Sequence, residues 1–304
     1  MATGFVARQS MRMRAALSVS RSASARMSTA SATVAPKTLP SLSMQGKVCM
    51  VTGAARGLGY EFCRAFISSG CTSLAVVDLK EEEARSAAAE LKTFAQTSGD
   101  VDPNSLNIIG IECDVSSEQN VQKAYGEIMS AFGRIDSVVA SAGIVENYTA
   151  FDYPYDRIKK LYDINVHGSF FTAREAARNM IPNGGGSIVL VASMSANIVN
   201  IPQPQTPYNA SKAAVKHMAS SLAVEWAKEG VRVNVLSPGY MLTKLTRTIL
   251  SHNQELKKTW ESLTPMGKMG DPEDLAGAIV FLSSDASKFM TGSEIRVDGG
   301  YCCT

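Results

Sequence analysis

The chain has 304 residues, of which 45% are hydrophobic and 19% charged, and its formal net charge is +2. This length and composition are typical of a globular protein with a large buried core. The charge is too small to indicate a nucleic-acid-binding surface, and no apolar run approaches the ~18 residues of a membrane-spanning helix.

The first 44 residues differ in composition from the rest of the chain. This segment, 1–44, called the leader below, is rich in serine, has no acidic residue and carries six basic ones: Arg8, Arg12, Arg14, Arg21, Arg26 and Lys37. It has no apolar stretch of the kind found in secretory signals, so we expect a disordered, organellar transit-like peptide. The mitochondrion is the expected destination, with a plastid, or the cytoplasm if the leader carries no address, as alternatives. Because the leader contributes +6, residues 45–304 carry a net charge of −4, and we expect them to form one domain.

Seven apolar runs alternate with helical stretches in that domain. The runs are 47–53, 74–78, 106–113, 135–141, 187–193, 231–236 and 293–298. Continuous apolar runs are typical of parallel strands buried on both faces, and the alternation indicates right-handed βαβ units. The sequence therefore predicts an α/β fold: a single doubly wound, Rossmann-type parallel sheet of about seven strands, with helices on both faces. Ligands of such sheets bind beyond the carboxyl ends of the strands.

The first run ends in a glycine-rich turn that precedes a helix, Gly53-Ala54-Ala55-Arg56-Gly57-Leu58-Gly59. Glycines at such a turn let a pyrophosphate approach the backbone N–H groups at the helix N-terminus. The pattern therefore predicts a dinucleotide-binding loop, although a turn that only packs a helix on a strand has the same pattern. The loop residues expected to bind the dinucleotide are Gly53, Arg56, Gly57, Leu58 and Gly59.

The second run ends in Asp78, nineteen residues after Gly59. This is close to the ~20 residues expected for the carboxylate that binds the adenosine ribose of a dinucleotide. A carboxylate there accepts hydrogen bonds from ribose hydroxyls and repels a 2′-phosphate, so Asp78 favours NAD over NADP. Arg56 has the opposite effect if it faces that phosphate, or none if it is a solvated loop residue. We predict NAD as the cofactor, with NADP as the alternative.

Two further strand ends contribute candidate cofactor-binding residues. Asp114 and Val115 follow the third run, and Asp114 either accepts from an adenine amino group or caps the next helix. The fourth run is followed by Ala142 and Gly143, whose small side chains let a cofactor lie close to the strand ends.

The strongest catalytic pattern is Tyr208-Asn209-Ala210-Ser211-Lys212, preceded by Ser193 at the end of the fifth run. In a helix, Tyr208 and Lys212 lie on one face, so phenol and ammonium can share one site. A neighbouring cation lowers the pKa of a phenol from ~10, which brings tyrosine within reach of acid–base chemistry at neutral pH. We therefore expect Ser193, Tyr208 and Lys212 to be catalytic.

Taken together, these motifs resemble those of the short-chain dehydrogenase/reductase family. The resemblance covers nearly all of 45–304 and includes the glycine loop, Asp114-Val115, Tyr208 with Lys212, Ser237-Pro238-Gly239 and Val297-Asp298-Gly299-Gly300. It implies an NAD(P)-dependent oxidoreductase that interconverts a secondary alcohol and a ketone. No metal site is expected.

The resemblance also implies roles for individual residues. Tyr208 would exchange a proton with the substrate oxygen, Ser193 would hydrogen-bond that oxygen, and Lys212 would hold the nicotinamide ribose and lower the tyrosine pKa. Asn165 would order a water that relays the proton. Met241 and Thr243 would line the nicotinamide side of the site. The spacing from serine to tyrosine is shorter in many relatives, which would favour Ser195, but Ser193 ends the strand and is the predicted catalytic serine.

The loop 192–205 resembles that of fungal polyol and ketose dehydrogenases acting on mannitol, sorbose, xylulose and arabinitol. Its polar residues, among them Asn200, Gln203 and Gln205, suit a hydroxyl-rich substrate, and segment 241–263 is predicted to form a helical lid. The alternatives are a 3-oxoacyl or steroid-type ketone reductase and a catalytically idle dinucleotide-binding scaffold. The resemblance further implies a homotetramer. It also implies that the protein acts on a small-molecule substrate. Candidate interfaces are the helices 154–181 and 207–229, and the segment 271–284 with the C-terminal strand.

Overall fold

A computed structural model describes residues 38–98 and 105–303 of the chain. Seven strands form one sheet in the order β3-β2-β1-β4-β5-β6-β7, and every neighbouring pair is parallel. The strands are β1 (Val48–Thr52), β2 (Ser73–Asp78), β3 (Asn107–Glu112), β4 (Ser137–Ala140), β5 (Gly186–Val191), β6 (Val231–Pro238) and β7 (Glu294–Val297). All seven predicted strands are confirmed, and so is the doubly wound parallel sheet. The order reverses between β1 and β4, where such sheets bind ligands.

Nine α-helices connect or follow these strands in the described part of the chain. They are α1 (Gly57–Ser68), α2 (Glu81–Ser98), α3 (Glu118–Phe132), α4 (Tyr155–Tyr162), α5 (Gly168–Met180), α6 (Thr206–Trp226), α7 (Lys244–Ser251), α8 (Gln254–Ser262) and α9 (Ala276–Ser283). A five-residue turn of π-helix, Asp163–His167, joins α4 to α5. Helices α7 and α8 occupy the segment predicted to be a helical lid.

Alternate residues of β1, β2, β4 and β5 enter two apolar cores on opposite faces of the sheet. In β1, Met50 packs into a core formed with α3, α5 and α6, whereas Cys49 and Val51 pack into a core formed with α1, α2 and α9. Successive side chains of a strand point to opposite faces, so a strand covered on both sides must be apolar throughout. This explains why the strands appear in the sequence as continuous apolar runs.

The last residues of the leader belong to this folded body. Pro40–Leu42 form a short 3₁₀ turn, Met44 is fully buried, and the Met44 N–H donates to the Ser69 carbonyl at 2.8 Å. The compact unit therefore begins at Thr38, seven residues before the boundary predicted from composition. The rest of the leader, 1–37, lies outside the described residues, so its predicted disorder stays a prediction.

In the described part of the chain, no helix is long and apolar enough to cross a membrane. The same residues contain no cluster of three or more histidine, cysteine, aspartate or glutamate side chains able to hold a metal ion.

Candidate active site

A cleft of about 420 Å³ lies at the carboxyl ends of the strands. Twelve of the sixteen predicted site residues line it: Gly53, Arg56, Leu58, Gly59, Asp78, Asp114, Val115, Ala142, Gly143, Ser193, Tyr208 and Lys212. The other four predicted residues, Gly57, Asn165, Met241 and Thr243, are not part of its wall. Residues from six strand ends thus converge on one space, as the parallel topology requires.

The glycine loop shapes one end of the cleft by close backbone approach. Gly53 has a φ of +64°, and a Cβ at this position would lie 2.8 Å from the Ala142 Cα. A Cβ on Gly59 would lie 2.4 Å from the Gly53 carbonyl oxygen. Only glycine fits at either position, so the loop keeps the N-terminus of α1 open toward the cleft, as a pyrophosphate-binding loop requires.

Asp78 ends β2 with a largely buried carboxylate that backbone groups hold in place. The Ala55 N–H of the glycine loop donates to Asp78 Oδ2 at 2.8 Å, and the Leu79 N–H donates to Oδ1 at 2.8 Å. A carboxylate fixed in this way can accept hydrogen bonds from the two hydroxyls of a ribose. Leu79, which also lines the cleft, was not among the predicted residues.

Arg56 forms an ion pair with a carboxylate on the next helix. It lines the cleft, yet its Nη1 lies 2.6 Å from Glu83 Oε2, and Lys80 Nζ lies 2.6 Å from the other oxygen of the same carboxylate. Both cations next to Asp78 therefore share one counter-ion. The sequence reasoning missed Glu83 because it contributes to the site from the next helix.

Asp114 lines the cleft but does not cap the following helix. The N-cap of α3 is Ser117, which accepts from the Asn120 N–H. One oxygen of Asp114 accepts from the N–H and the hydroxyl of Ser116, at 2.9 and 2.6 Å. Its neighbour Val115 packs against Gly168 at the start of α5, where a Cβ would lie 2.8 Å from Val115 Cγ2.

Thr52 fixes the turn after β4, a role that its place in an apolar run did not indicate. Its Oγ1 accepts from the N–H groups of Ser141 and Ala142, at 3.1 and 3.3 Å. A Cβ on the adjacent Gly143 would lie 3.2 Å from Asn165 Oδ1 and 3.5 Å from Lys212 Nζ. The turn, the amide and the lysine therefore meet at one point of the cleft wall.

Asn165 is fully buried in the π-helical turn behind that wall. Its amide exchanges two hydrogen bonds with the backbone of Ile144, both at 2.9 Å, and donates to Ser211 Oγ at 3.1 Å. The Ser211 hydroxyl donates in turn to the Tyr208 carbonyl at 2.7 Å. The side chain of Asn165 therefore ties the loop after β4 to the helix that carries Tyr208. Ser211, which mediates this contact, was not predicted.

Tyr208 and Lys212 lie on one face of α6, with Lys212 Nζ 5.8 Å from the tyrosine ring centroid. Burial raises the pKa of Tyr208, and the nearby Ser193 hydroxyl offsets part of that rise. Burial lowers the pKa of Lys212 to about 8, and its ammonium donates to the Val191 carbonyl at 2.9 Å. The depression of the Tyr208 pKa by Lys212, expected from the sequence, is not seen because desolvation disfavours both charged forms.

Ser193 follows β5 and starts a chain of buried polar groups. Its hydroxyl donates to Ser195 Oγ at 3.0 Å, and the Ser195 hydroxyl donates to Asn200 Oδ1 at 2.6 Å. Of the two serines, only Ser193 lines the cleft, as Tyr208 does. The geometry therefore favours Ser193 for contact with a substrate oxygen.

Three polar residues expected to face a hydroxyl-rich substrate form hydrogen bonds within the protein instead. Asn200 and Gln203 both donate to the hydroxyl of Tyr240, at 3.1 and 2.7 Å, and Gln205 donates to Asn200 Oδ1 at 2.8 Å. The Tyr240 ring stacks on Trp260 of α8, with centroids 4.0 Å apart. The sequence spacing of these polar residues could not reveal their contacts with Tyr240, because those contacts depend on how α8 packs.

Met241 and Thr243 also have structural partners. Met241 is buried and forms a parallel bridge with Gly270, and Thr243 is the N-cap of α7, accepting from the Thr246 N–H at 3.3 Å. They do not line the cleft in this structure.

Comparisons with known proteins agree with this site. A family model described as enoyl-(acyl carrier protein) reductase matches residues 53–302. D-arabinitol 2-dehydrogenase (ribulose-forming) of Candida albicans is 40% identical over 270 residues, covering 87% of this chain and 96% of that protein. The NADH-dependent L-xylulose reductase of Ambrosiozyma monospora is 35% identical, covering 86% of this chain and 97% of that protein.

Solved structures give the same result for the fold. A short-chain type dehydrogenase/reductase from Mycobacterium marinum superimposes with a TM-score of 0.79 at 37% identity, covering 87% of this chain and 98% of that one. A gluconate 5-dehydrogenase from Burkholderia cenocepacia, in complex with NADP and tartrate, has a TM-score of 0.79 at 29% identity, with the same coverage. The fold, the assembled motifs and these similarities over nearly the whole length show that the chain belongs to the short-chain dehydrogenase/reductase family of NAD(P)-dependent oxidoreductases.

Proposed function

We propose that this protein interconverts a sugar alcohol and its ketose, with NAD as its cofactor. The observation that carries the proposal is the 40% identity to a ribulose-forming D-arabinitol 2-dehydrogenase, which spans nearly the full length of both chains. The same stretch contains Ser193, Tyr208 and Lys212, which meet in one cleft.

The residues of the cleft fit a dinucleotide. A Cβ at Gly53 or at Gly59 would collide with backbone atoms, so glycine at these positions lets the loop pack closely and places the N-terminus of α1 at the cleft. Asp78 offers a fixed carboxylate to the adenosine ribose. Asp114, Val115, Ala142 and Gly143 continue the same wall toward Tyr208. When bound, NAD supplies the acceptor for the hydride that leaves the carbinol carbon.

The protein's own residues manage the proton of the alcohol. Tyr208, as phenolate, accepts the hydroxyl proton of the substrate while the carbon–oxygen bond gains double-bond character. Ser193 donates a hydrogen bond to the same oxygen and stabilises its developing charge. Lys212 holds the nicotinamide ribose, and any stabilisation that its ammonium gives the phenolate of Tyr208 is smaller than the cost of burying that charge, since the pKa of Tyr208 is raised. Asn165 keeps the wall behind them in place, and in our proposal it orders a water that carries the proton away.

Charge next to Asp78 supports NAD rather than NADP. The buried carboxylate repels a 2′-phosphate, and Arg56, which would attract one, is paired with Glu83. Met241 and Thr243 remain candidates for contact with the nicotinamide side, because they follow Pro238 and Gly239, which line the cleft.

A second candidate function is reduction of a 3-oxoacyl or steroid-type ketone. The observation that favours it is the pairing of Asn200, Gln203 and Gln205 within the protein, which removes three polar groups from the expected sugar contacts. The matched family model also carries an enoyl reductase description. A catalytically idle scaffold is disfavoured by the presence of Ser193, Tyr208 and Lys212 together.

The experiment is a dehydrogenase assay with a substrate panel. Arabinitol, mannitol, sorbitol and xylitol are tested with NAD⁺ and NADP⁺, followed by chromatography of the ketose product; a 3-oxoacyl thioester and a steroid ketone are tested with NADH and NADPH. Polyol turnover with NAD⁺ supports the proposal. Turnover of the apolar ketones alone would move the assignment to the second candidate.

We further propose that the leader directs the protein to mitochondria. The support is its charge, with six basic and no acidic residues in 1–44. Fluorescent fusions with and without residues 1–37 test this: mitochondrial signal should require the leader, and cytoplasmic signal in both would contradict it.

We also propose a homotetramer. Apolar residues exposed near the start of α4, Phe151 and Tyr155, and on α6, Val224, support interfaces on those helices. The segment 271–284 with β7 is the other candidate interface. Light scattering coupled to gel filtration should give four times the chain mass, and a monomer at working concentration would contradict this.

A further inference from the structure

Three charged side chains meet beside the Asp78 carboxylate. Arg56 is the N-cap of α1 in the glycine loop, Lys80 follows β2 by two residues, and Glu83 lies in the first turn of α2. Arg56 Nη1 and Lys80 Nζ each lie 2.6 Å from a different oxygen of Glu83. Both cations are mostly exposed, whereas Glu83 is about two-thirds buried.

The chain connectivity places both cations next to the ribose-binding carboxylate. Arg56 directly follows Ala55, whose N–H donates to Asp78 Oδ2, and Lys80 directly follows Leu79, whose N–H donates to Oδ1. Arg56, Asp78 and Leu79 line the same end of the cleft. A 2′-phosphate on a ribose held by Asp78 would therefore lie within reach of two long basic side chains.

We propose that Glu83 is a specificity-determining residue that disfavours NADP by neutralising Arg56 and Lys80. This rests on the proposed NAD-dependent function and names a second residue, beside Asp78, that sets it. With Glu83 ionised, a 2′-phosphate meets the negative charge of Asp78 and two cations already held by a carboxylate. Without that charge, the same two cations are free to bind the phosphate.

A role of Glu83 in stability alone would have different consequences. Exposed ion pairs contribute little to folding, and the acidic first turn of α2, which favours the helix dipole, also contains Glu81 and Glu82. Glu81 pairs with Arg85 one turn further along α2. Glu82 thus offers a matched control: Glu82→Gln removes the same charge from the same turn without touching the Arg56–Glu83–Lys80 contacts.

The test is a fluorescence titration of NADH and NADPH with the full-length protein, for wild type, Glu83→Gln and Glu82→Gln. We expect Glu83→Gln to tighten the Kd of NADPH about tenfold, with a smaller gain at high salt, because the added attraction acts between partly exposed charges. NADH affinity should stay within about threefold, since its ribose carries no phosphate. Glu82→Gln should leave both Kd values near those of wild type.

A second set of variants shows whether the effect passes through the two cations. In an Arg56→Ala, Lys80→Ala background, Glu83→Gln should no longer change the Kd of NADPH. The inference is overturned if NADPH affinity is unchanged in Glu83→Gln, if Glu82→Gln improves it equally, or if the gain persists without Arg56 and Lys80. Binding of neither cofactor by wild type would overturn the proposed function as well, whereas NADH binding with no response to Glu83→Gln would overturn this inference alone.

Discussion

At the scale of single residues, two neighbouring serines have different partners. Ser193 lines the cleft together with Tyr208, whereas Ser195 lies behind it, accepts from Ser193 and donates to Asn200. Loss of one donor to a reacting oxygen lowers kcat by about 100-fold or more. We expect that loss for Ser193→Ala, and a decrease of less than about tenfold for Ser195→Ala, which removes only a supporting hydrogen bond. Steady-state kinetics of both variants check this, and the reverse ranking would overturn the choice of Ser193.

The buried Lys212 predicts how alcohol oxidation depends on pH. Burial gives Lys212 a pKa of about 8 and raises the pKa of Tyr208, so Lys212 loses its proton first and can then take up the proton that Tyr208 passes on. Oxidation needs a proton acceptor, so kcat/KM should rise with pH to a midpoint near 8 and then level off. In Lys212→Met only the phenolate of Tyr208 can accept the proton, and burial raises the pKa of Tyr208 above its ordinary value, so the midpoint should move above ~10.

A matched control for that profile is Lys216→Met. Lys216 lies one turn along α6 and pairs with Glu294 at 2.9 Å, outside the cleft. Its removal should leave the midpoint near that of wild type. A Lys212→Met enzyme that kept the wild-type midpoint would show that Lys212 does not take part in the titration.

Residue positions could be predicted from the sequence better than residue contacts. Ser193, Tyr208, Lys212 and Asp78 could be placed at the cleft because each follows a strand or lies at helical spacing. The pairing of Arg56 with Glu83, and of the loop amides with Tyr240, could not, because these contacts join distant parts of the chain.

At the scale of elements, the turn between β1 and α1 contains one glycine that is packed tightly against the backbone, Gly59, and one that faces open space, Gly57. A Cβ on Gly59 would lie 2.4 Å from the Gly53 carbonyl oxygen, whereas a Cβ on Gly57 would meet no heavy atom within 4 Å. Gly59→Ala forces the loop and α1 apart, at a cost of about 1–3 kcal/mol. We expect it to weaken NADH binding by about tenfold or more, since the loop N–H groups are displaced.

Gly57→Ala provides the comparison. Gly57 has a φ of +62°, so alanine there lowers the free energy of unfolding by about 1 kcal/mol through backbone strain alone. Its NADH affinity should stay within about threefold of wild type. Calorimetric titration together with thermal unfolding separates the two effects. If Gly57→Ala and Gly59→Ala lost the same NADH affinity, the close backbone approach at Gly59 would not be what holds the loop in its binding conformation.

The number of strands and their positions along the chain could be predicted because the inner strands are buried on both faces. The π-helical turn Asp163–His167 could not, since its residues fit an ordinary helix equally well. That turn holds Asn165 where its amide meets Ile144 and Ser211. The role of Asn165 as a buried link between elements therefore became visible only in the structure.

At the scale of the whole molecule, the folded body extends further toward the N-terminus than composition indicates. Charge separates 1–44 from the rest, but the end of that segment packs on the folded body, because Met44 is fully buried in the core formed with α1, α2 and α9. A pattern of charge cannot reveal that a single methionine near its end fills a core position.

This packing predicts where the chain can be shortened. A protein that starts at Thr38 should unfold at the same temperature as the full chain. One that starts at Gly46 loses Met44 and should unfold several degrees lower, because removing a buried methionine side chain costs about 2–5 kcal/mol. Met44→Ala should reproduce most of that decrease, whereas Met266→Ala, at a mostly exposed position, should not. Equal unfolding temperatures for both truncations would contradict the assigned boundary.

In the proposed reaction, Tyr208 transfers the proton during a polyol–ketose interconversion. The most direct test follows NADH formation at 340 nm with D-arabinitol and NAD⁺, for wild type and Tyr208→Phe, with NADH affinity measured alongside. We predict turnover by wild type, a decrease in kcat of about 100-fold or more in Tyr208→Phe, and an unchanged Kd for NADH. A Tyr208→Phe enzyme that kept its turnover would contradict the account.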